Sequence, residues 1–372
     1  MDTLSVALVH RDLHDPTRGG IGTIYRELAA RLAARGLNVH LITQNSDSPL
    51  QLPGVSTHLL PRTEDLRVHG SNVARTLRAL RPDVAEASSW EAELLELLDG
   101  GTQNDPAVVI RGDLSALTMR ARPDLIEREQ RLMAHRPCLV GVSRFATQDL
   151  QRAYGHASTR VIYNGVDTHH FSPSAPKGPL SVSTVILDGQ DAVVGPRRVY
   201  RNASQLWPRR PGMRVLWIGK RTPMKGWDRL QQLIGLNPML NFLLLLGHSP
   251  ALSEVSLTGR EANVRIVQGV PQADLPALYS SADALISTSR WEGFGLAMAE
   301  SLACGTPIVV PTDLEVAQEL LVSGGGTTYT SNEELQRALE MVKPISPAVP
   351  THMTWDACTT ATLDVYLTQL RR

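Results

Sequence analysis

The sequence predicts an α/β chain built from two doubly wound sheets, and three observations carry that expectation. The first forty residues read as strand, loop, helix and strand, a connection so short that the two strands must lie parallel. A second strand–loop–helix series opens at Met213-Arg-Val-Leu-Trp-Ile-Gly219. Between the two, from Ser172 to Gly212, prolines interrupt the chain at 173, 176, 179, 196, 208 and 211 and no sustained period survives. A length of 372 residues exceeds one ordinary core, which agrees with two domains.

Taken in order, Leu4 to Val9 is an apolar run of strand length, followed by a polar loop. Gly19-Gly20-Ile21-Gly22 opens a helix that shows Ile24, Leu28 and Leu32 on one face and ends at Gly36. Asn38 to Thr43 is the next strand. Further along come a helix near Asn72 to Leu80, strands at Val84 and Ala107 to Ile110, a helix over Pro123 to His135 and a strand over Cys138 to Val142. Ser143 is placed to cap the helix that follows, and Val161 to Asp167 reads as a strand running into an Asn-Gly turn. In the second half, strands are expected at Phe242 to Leu246, Val264 to Val267, Ala284 to Ser287 and Pro307 to Val310, with a helix from Ala273 to Ala282. A closing helix from Trp355 to Leu370 carries Cys358, Leu363, Tyr366, Leu367 and Leu370 at helical spacing. The expected organisation is an N-terminal domain over 1–175, a connection over 176–210, a C-terminal domain over 211–354 and a terminal helix over 355–372.

Composition narrows the functions. An apolar fraction of 42% with 20% charged residues is that of an ordinary globular protein. Thirty-seven basic residues against thirty-seven acidic ones leave no footprint for nucleic acid. Cys138, Cys304 and Cys358 are scattered, with no metal-ligand spacing, as expected of reduced thiols in a cytoplasmic protein. The first residues lack the basic start of a signal peptide, and no apolar run approaches the ~20 residues of a membrane span. Arg67, Arg75, Arg78 and Arg81 beside Val73, Leu77 and Leu80 would suit a membrane surface, but a solvated helix face is the favoured reading.

Ser287 to Val310 is the most informative stretch. A strand ends near Ser287, a loop carries Glu292, Gly293 and Gly295, and a helix starting near Gly295 holds Glu300 in its second turn. Glycine lets the backbone approach a ligand, and the free N–H groups of a helix start suit a diphosphate. Glu292 is placed to reach sugar hydroxyls, and Glu300 to accept hydrogen bonds from a ribose diol.

The stretch resembles the Glu-x7-Glu signature of the retaining family-4 glycosyltransferases, including the Gly-Phe-Gly-Leu after the first Glu and the Ala-x-Gly-Thr-Pro-Ile-Val-Val continuation. Gly219-Lys-Arg-Thr-Pro-Met-Lys-Gly-Trp227 resembles the family's phosphate-holding turn. Lys225 falls on its lysine, whereas Lys220 stands where an arginine is expected, with Arg221 beside it; which of the two meets the second phosphate stays open. Gly19, Gly20 and Gly22 resemble the N-terminal glycine loop that lies over the diphosphate. The loop does not fit a dinucleotide fingerprint, being too long and lacking the acid after the second strand. Asn164-Gly165-Val166-Asp167 with Phe171 and Pro173 matches a structural signature at the end of the N-domain. Gly247-His248-Ser249 and Val267-Gln268-Gly269 correspond to positions lining the nucleobase pocket. The family's N-domain histidine is missing: after Ile110 the chain reads Arg111-Gly112-Asp113, leaving Arg111, Asp113 or the pair Trp90 and Glu91 as substitutes.

The resemblance implies a GT-B fold, two Rossmann-like domains across a cleft with the C-terminal helix crossing back to the N-terminal domain. It implies a retaining, metal-independent transfer from a nucleoside diphosphate sugar of UDP or GDP type to a small-molecule or glycoconjugate acceptor, with no cofactor. Lys225 with Lys220 or Arg221 would offset charge on the departing diphosphate, aided by the Gly295 helix start, with Gly219, Gly293, Phe294, Leu296, Glu300, His248 and Val267 around the donor. The alternatives are an epimerase or phosphorylase that uses nucleotide sugars, or a sugar-nucleotide-binding protein without catalysis. The Ala, Arg, Leu and Pro richness resembles a high-GC bacterium, which suggests cell-envelope or secondary-metabolite glycosylation.

Overall fold

β1 (Ser5–Val9) is the hub of the first sheet, because four of its five residues are fully buried and both of its edges are paired. In the computed structural model, which describes residues 3–13, 19–155, 159–175, 178–188, 191–247 and 257–371, the chain divides into two units. One comprises Met1–Gly165 with His352–Arg372, the other Val166–Thr351.

The first unit continues through α1 (Gly20–Ala34), β2 (Asn38–Gln44), β3 (Val55–Leu60), α2 (Leu66–Leu80), β4 (Val84–Ser88) and α3 (Leu95–Asp99). It then runs through β5 (Ala107–Gly112), α4 (Pro123–Ala134), β6 (Cys138–Gly141), α5 (Arg144–Tyr154) and β7 (Thr159–Val161). All seven strands are parallel, in the order β3-β2-β1-β4-β5-β6-β7. The order reverses between β1 and β4, the kind of place where doubly wound sheets take ligands. The helices start and stop where local chemistry dictates. Asp65 accepts from the N–H groups of Arg67 and Val68, Ser143 accepts from that of Ala146, and Gly36 closes α1 at φ 83°. β3 was not anticipated: as an edge strand with only Leu60 buried, it shows no clean alternation. The strand expected over Val161 to Asp167 ends at Val161.

The second unit is a similar sheet with an addition. It contains β8 (Leu180–Asp188), β9 (Asp191–Tyr200), β10 (Arg214–Gly219), α6 (Trp227–Leu236), β11 (Asn241–Leu246), β12 (Val264–Gln268) and α7 (Leu275–Tyr279). After these come β13 (Ala284–Ile286), α8 (Leu296–Ala303), β14 (Ile308–Pro311), α9 (Glu315–Leu321), β15 (Gly326–Tyr329) and α10 (Asn332–Met341). The strand order is β15-β14-β13-β10-β11-β12-β8-β9, parallel from β15 to β12 and antiparallel in the last two pairings. The reversal falls between β10 and β13. The stretch expected to be an interdomain connection over 176–210 is therefore corrected: β8 and β9 form a hairpin that extends this sheet. Leu180, Val182, Val185 and Leu187 are the buried side of β8, and the irregularity between Ser183 and Val185 breaks the alternation that would have revealed it. The helix expected from Ala273 to Ala282 is reduced to α7 and the short turn before it.

The last helix, α11 (Trp355–Gln369), belongs to the first unit. Arg31 on α1 reaches Asp356 at 3.1 Å and Arg35 reaches Thr360 at 3.0 Å. Beneath them Arg111 of β5 pairs with Glu86 of β4 at 2.7 Å and donates to Thr362 at 2.9 Å, while the Tyr366 hydroxyl donates to Glu86 at 2.7 Å. Gly165 lets the chain pass this helix, since a Cβ there would stand 2.3 Å from the Trp355 nitrogen. No helix among the described residues is long and apolar enough to cross a membrane.

Candidate functional site

The carboxyl ends of β10 and β13, on either side of the reversal in the second sheet, bring the predicted residues together. β10 ends at Gly219, where a Cβ would collide with the Trp217 ring at 2.7 Å. The chain then turns through Lys220 to Gly226 into α6. Gly226 takes φ 61°, and a Cβ there would lie 1.9 Å from the Thr288 carbonyl, so the turn sits directly on the loop after β13. Polar contacts fasten the two loops. Thr288 donates its hydroxyl proton to the Lys225 carbonyl at 2.8 Å and accepts from the Trp217 indole at 3.0 Å. Arg290 donates its backbone N–H to the Met224 carbonyl at 2.9 Å. Its guanidinium reaches the Pro223 carbonyl at 2.8 Å and both oxygens of Asp228 at 2.8 and 2.6 Å.

The fastening sets Lys225 against Glu292. The ammonium lies 2.5 Å from Oε1 of Glu292, which also accepts from the Ser289 hydroxyl at 2.7 Å. Neither side chain is closed off, at 22% and 15% exposure, so the pair is accessible to a ligand. An ammonium has three donors, and one carboxylate does not exhaust them.

Arg221 is 7% exposed, and its Nη1 is buried without a hydrogen-bond partner among the described residues. Burial lowers its pKa, opposed by the charge of Asp191. An unsatisfied guanidinium nitrogen in a recess is expensive unless an anion completes it. Lys220 instead lays its stem along Gly247, where a Cβ would meet its Cγ at 3.2 Å.

α8 starts at Gly295, whose φ of 87° only glycine adopts readily; Phe294 before it is buried, and Gly293, Gly295 and Leu296 present backbone at the helix start. Glu300 follows in the second turn, as expected. Its carboxyl is pushed up to about 7 by burial, with the Tyr279 hydroxyl, donating at 2.6 Å, holding it back. Tyr279 lies within the helix expected from Ala273 to Ala282. Its role as a partner of Glu300 had no local signal, because the two residues meet only when α7 and α8 pack. Val267 is fully buried, so only its backbone is available to a ligand. His248 lies outside the described residues.

The remaining predicted residues sit in the first unit. Gly19, at φ 82°, precedes α1, and Gly20 and Gly22 lie in its first turn; a Cβ at Gly19 or Gly22 would meet nothing within 4 Å among the described residues. Arg111, considered as a stand-in for the absent histidine, is 2% exposed and committed to Glu86 and Thr362, with Glu86 holding its pKa above the usual value against the burial that lowers it. The structure therefore shows it bracing the sheet to α11. Glu91 adopts φ 65° and pairs with Arg11 at 3.0 Å, and burial raises its carboxyl pKa. One group was missed. Glu93 accepts from the Arg11 backbone N–H at 2.6 Å and from His69 at 3.1 Å. Burial pushes its carboxyl up, but His10 and His69 overcome that and leave it at about 2.

Comparison with known proteins gives this arrangement its context. Residues 18–170 match the model of Glycosyltransferase Family 4, and residues 210–343 match that of Glycosyl transferases group 1. The chain belongs to glycosyltransferase family 4. This family-4 enzyme is 28% identical to O-antigen chain mannosyltransferase B of Escherichia coli over 41% of its own length, an alignment that spans 45% of that protein. It is 24% identical to D-inositol 3-phosphate glycosyltransferase of Xylanimonas cellulosilytica over 95% of this chain and 93% of that one. Its fold is shared with sucrose-phosphate synthase from Thermosynechococcus elongatus, at a TM-score of 0.72 and 18% identity over 98% of each chain. The two Rossmann-like units are those of a GT-B glycosyltransferase, and the non-catalytic, epimerase and phosphorylase alternatives are not favoured.

Proposed function

We propose that this glycosyltransferase transfers a sugar from a nucleoside diphosphate to an acceptor hydroxyl, with retention at the anomeric carbon. The observation that carries the reading is the convergence of Lys225, Glu292, the unsatisfied Arg221 nitrogen and the α8 start at one sheet reversal. In this reading the diphosphate lies against the α8 start and Lys225, and Arg221 supplies the second cationic contact with Lys220 beside it. The bond from the anomeric carbon to the diphosphate breaks, and a bond from the acceptor oxygen forms on the same face. The acceptor's hydroxyl proton leaves with the diphosphate. Lys225 and Arg221 stabilise the charge that develops on the leaving group, a task that requires no metal. Glu292, held by Lys225 and Ser289, orients the sugar hydroxyls. Glu300 accepts the ribose diol on Oε1, its other oxygen being taken by Tyr279.

The first unit takes the acceptor. The printed names of the relatives, one a mannosyltransferase of an O-antigen chain and another acting on inositol 3-phosphate, support a glycoconjugate or small polyol acceptor. The first of these names also fits a role in cell-envelope glycosylation.

Thermal-shift screening against UDP, GDP, ADP and dTDP sugars, followed by mass detection of product over an acceptor panel, tests this. A stabilising donor and a glycosylated product of unchanged anomeric configuration are expected. If no nucleotide sugar stabilises the protein or is consumed, the reading fails.

A further inference from the structure

The β8–β9 hairpin occupies chain that neither family model matches, since the matched ranges stop at 170 and resume at 210. It nevertheless reaches the carboxyl end of β12. β8 pairs with β12 through Gln268↔Ser183, and β9 pairs with β8 through Ser183↔Arg197. Gln268, Ser183 and Arg197 therefore form one row across the sheet at the level where β12 ends.

From that row the Arg197 side chain turns back across β8. Its Nε donates to the Ser181 hydroxyl at 2.8 Å. Its Nη1 lies 3.4 Å from where a Cβ on Gly269 would stand. Gly269 follows β12 directly and takes φ 75°. The bond to Ser181 fixes the plane of the guanidinium, while the terminal nitrogens make no hydrogen bond among the described residues.

Val267 to Gly269 is the stretch that the family resemblance sets at the nucleobase of the proposed donor, and the inference rests on that reading. The geometry points to Arg197 as the side chain that reads the donor's base, and to guanine as the base it selects. A guanidinium donates and never accepts, and its terminal N–H groups project in parallel. Guanine offers two adjacent acceptors, O6 and N7, which such a fork matches. The same edge of adenine pairs an acceptor with a donor, and uracil offers one carbonyl beside a carbon. Backbone groups at the ends of β11 and β12 would hold any base; Arg197 adds the discrimination. The donor is accordingly a GDP-sugar.

Isothermal titration of the full chain with GDP, UDP and ADP tests this, using wild type, Arg197→Ala and Arg197→Lys. Arg197 is exposed, so both variants should melt like wild type. GDP should bind wild type about tenfold or more above UDP and ADP, the range one bidentate contact commands. Both variants should lose that preference, with UDP and ADP affinities unchanged, because lysine keeps the charge but lacks the fork. Binding of all three nucleotides without guanine preference, or equal weakening of all three in Arg197→Ala, would overturn the inference and leave the donor site standing. Binding of none would overturn the donor site and the inference together.

Discussion

The two sheets follow the same winding, yet they treat the charges near their reversal points differently. In the first unit the buried charges pair with one another, although Nη1 of Arg111 and Oε2 of Glu93 make no hydrogen bond among the described residues. Glu86 and Arg111 are sealed beneath α11, and Glu93 is enclosed by Arg11, His69 and His10. In the second unit the charges stay near solvent and incomplete: Lys225 and Glu292 are partly exposed, and Arg221 keeps a buried nitrogen with no partner among the described residues. Burial against an opposite charge or a histidine makes the first unit's charges structural. In the proposed reading, the partly exposed charges of the second unit are the ones left to meet a ligand.

The comparison breaks first on stability. Arg111→Ala strips the partner from Glu86, which is fully buried, and should cost about 3–5 kcal/mol in urea unfolding. The paired change Glu86→Leu with Arg111→Met should cost much less, because it leaves no orphan charge. A loss below about 1 kcal/mol for the single variant would show that solvent reaches the pair.

Lys225→Ala should act in the opposite way. Its partner Glu292 keeps some contact with solvent and a hydrogen bond from Ser289, so melting should change little, while turnover should fall about 100- to 1000-fold, as expected for one lost contact to a charged transition state. Near-normal turnover would place Lys225 with the structural charges of the first unit.

Glu300 sharpens the contrast through pH. Its folded-state pKa of about 7 lies above the ordinary 4.5, so folding favours the neutral carboxyl. That contribution is complete below pH 4.5 and is lost as pH rises to about 7. Glu300→Gln, always neutral, should match wild type at acid pH and melt a few degrees higher at pH 8. Donor affinity should move the other way. In wild type it strengthens as pH rises through about 7 and the carboxylate forms; in Glu300→Gln it is weaker and flat. A parallel pH dependence in the two proteins would remove Glu300 from the donor site.

The smallest effect belongs to the surface. Asp356, 81% exposed opposite Arg31, should change stability by less than about 1 kcal/mol when replaced by Ala. A larger loss would mean that α11 is held at its rim and not through its core contacts with Glu86 and Arg111.

Much of the site was legible because its pieces are local. Gly293, Gly295 and Glu300 share one loop-and-helix segment, and the spacing from Glu292 to Glu300 is a property of chain order alone. Lys225 was legible as a basic residue before a glycine. Its meeting with Glu292, 67 positions away, was not, since that contact exists only because β10 and β13 are neighbours in the sheet. Arg111 shows the reverse case. Its position after a strand suggested a ligand contact, and the packing of α11, from the far end of the chain, turned it into a brace.

By itself the sequence determined the two-sheet class, most strands, the caps at Gly36 and Ser143, and the acidic and basic residues of the second unit. These follow from periodicity, capping chemistry and short-range spacing, which act within a few residues. Only the tertiary structure decided which charges are spent on each other and which remain unmatched. It alone paired β8 with β9, set Tyr279 on Glu300 and carried Arg197 to Gly269. Each of those outcomes depends on strand order and register, and pairing across a sheet joins residues whose separation along the chain carries no trace of their contact.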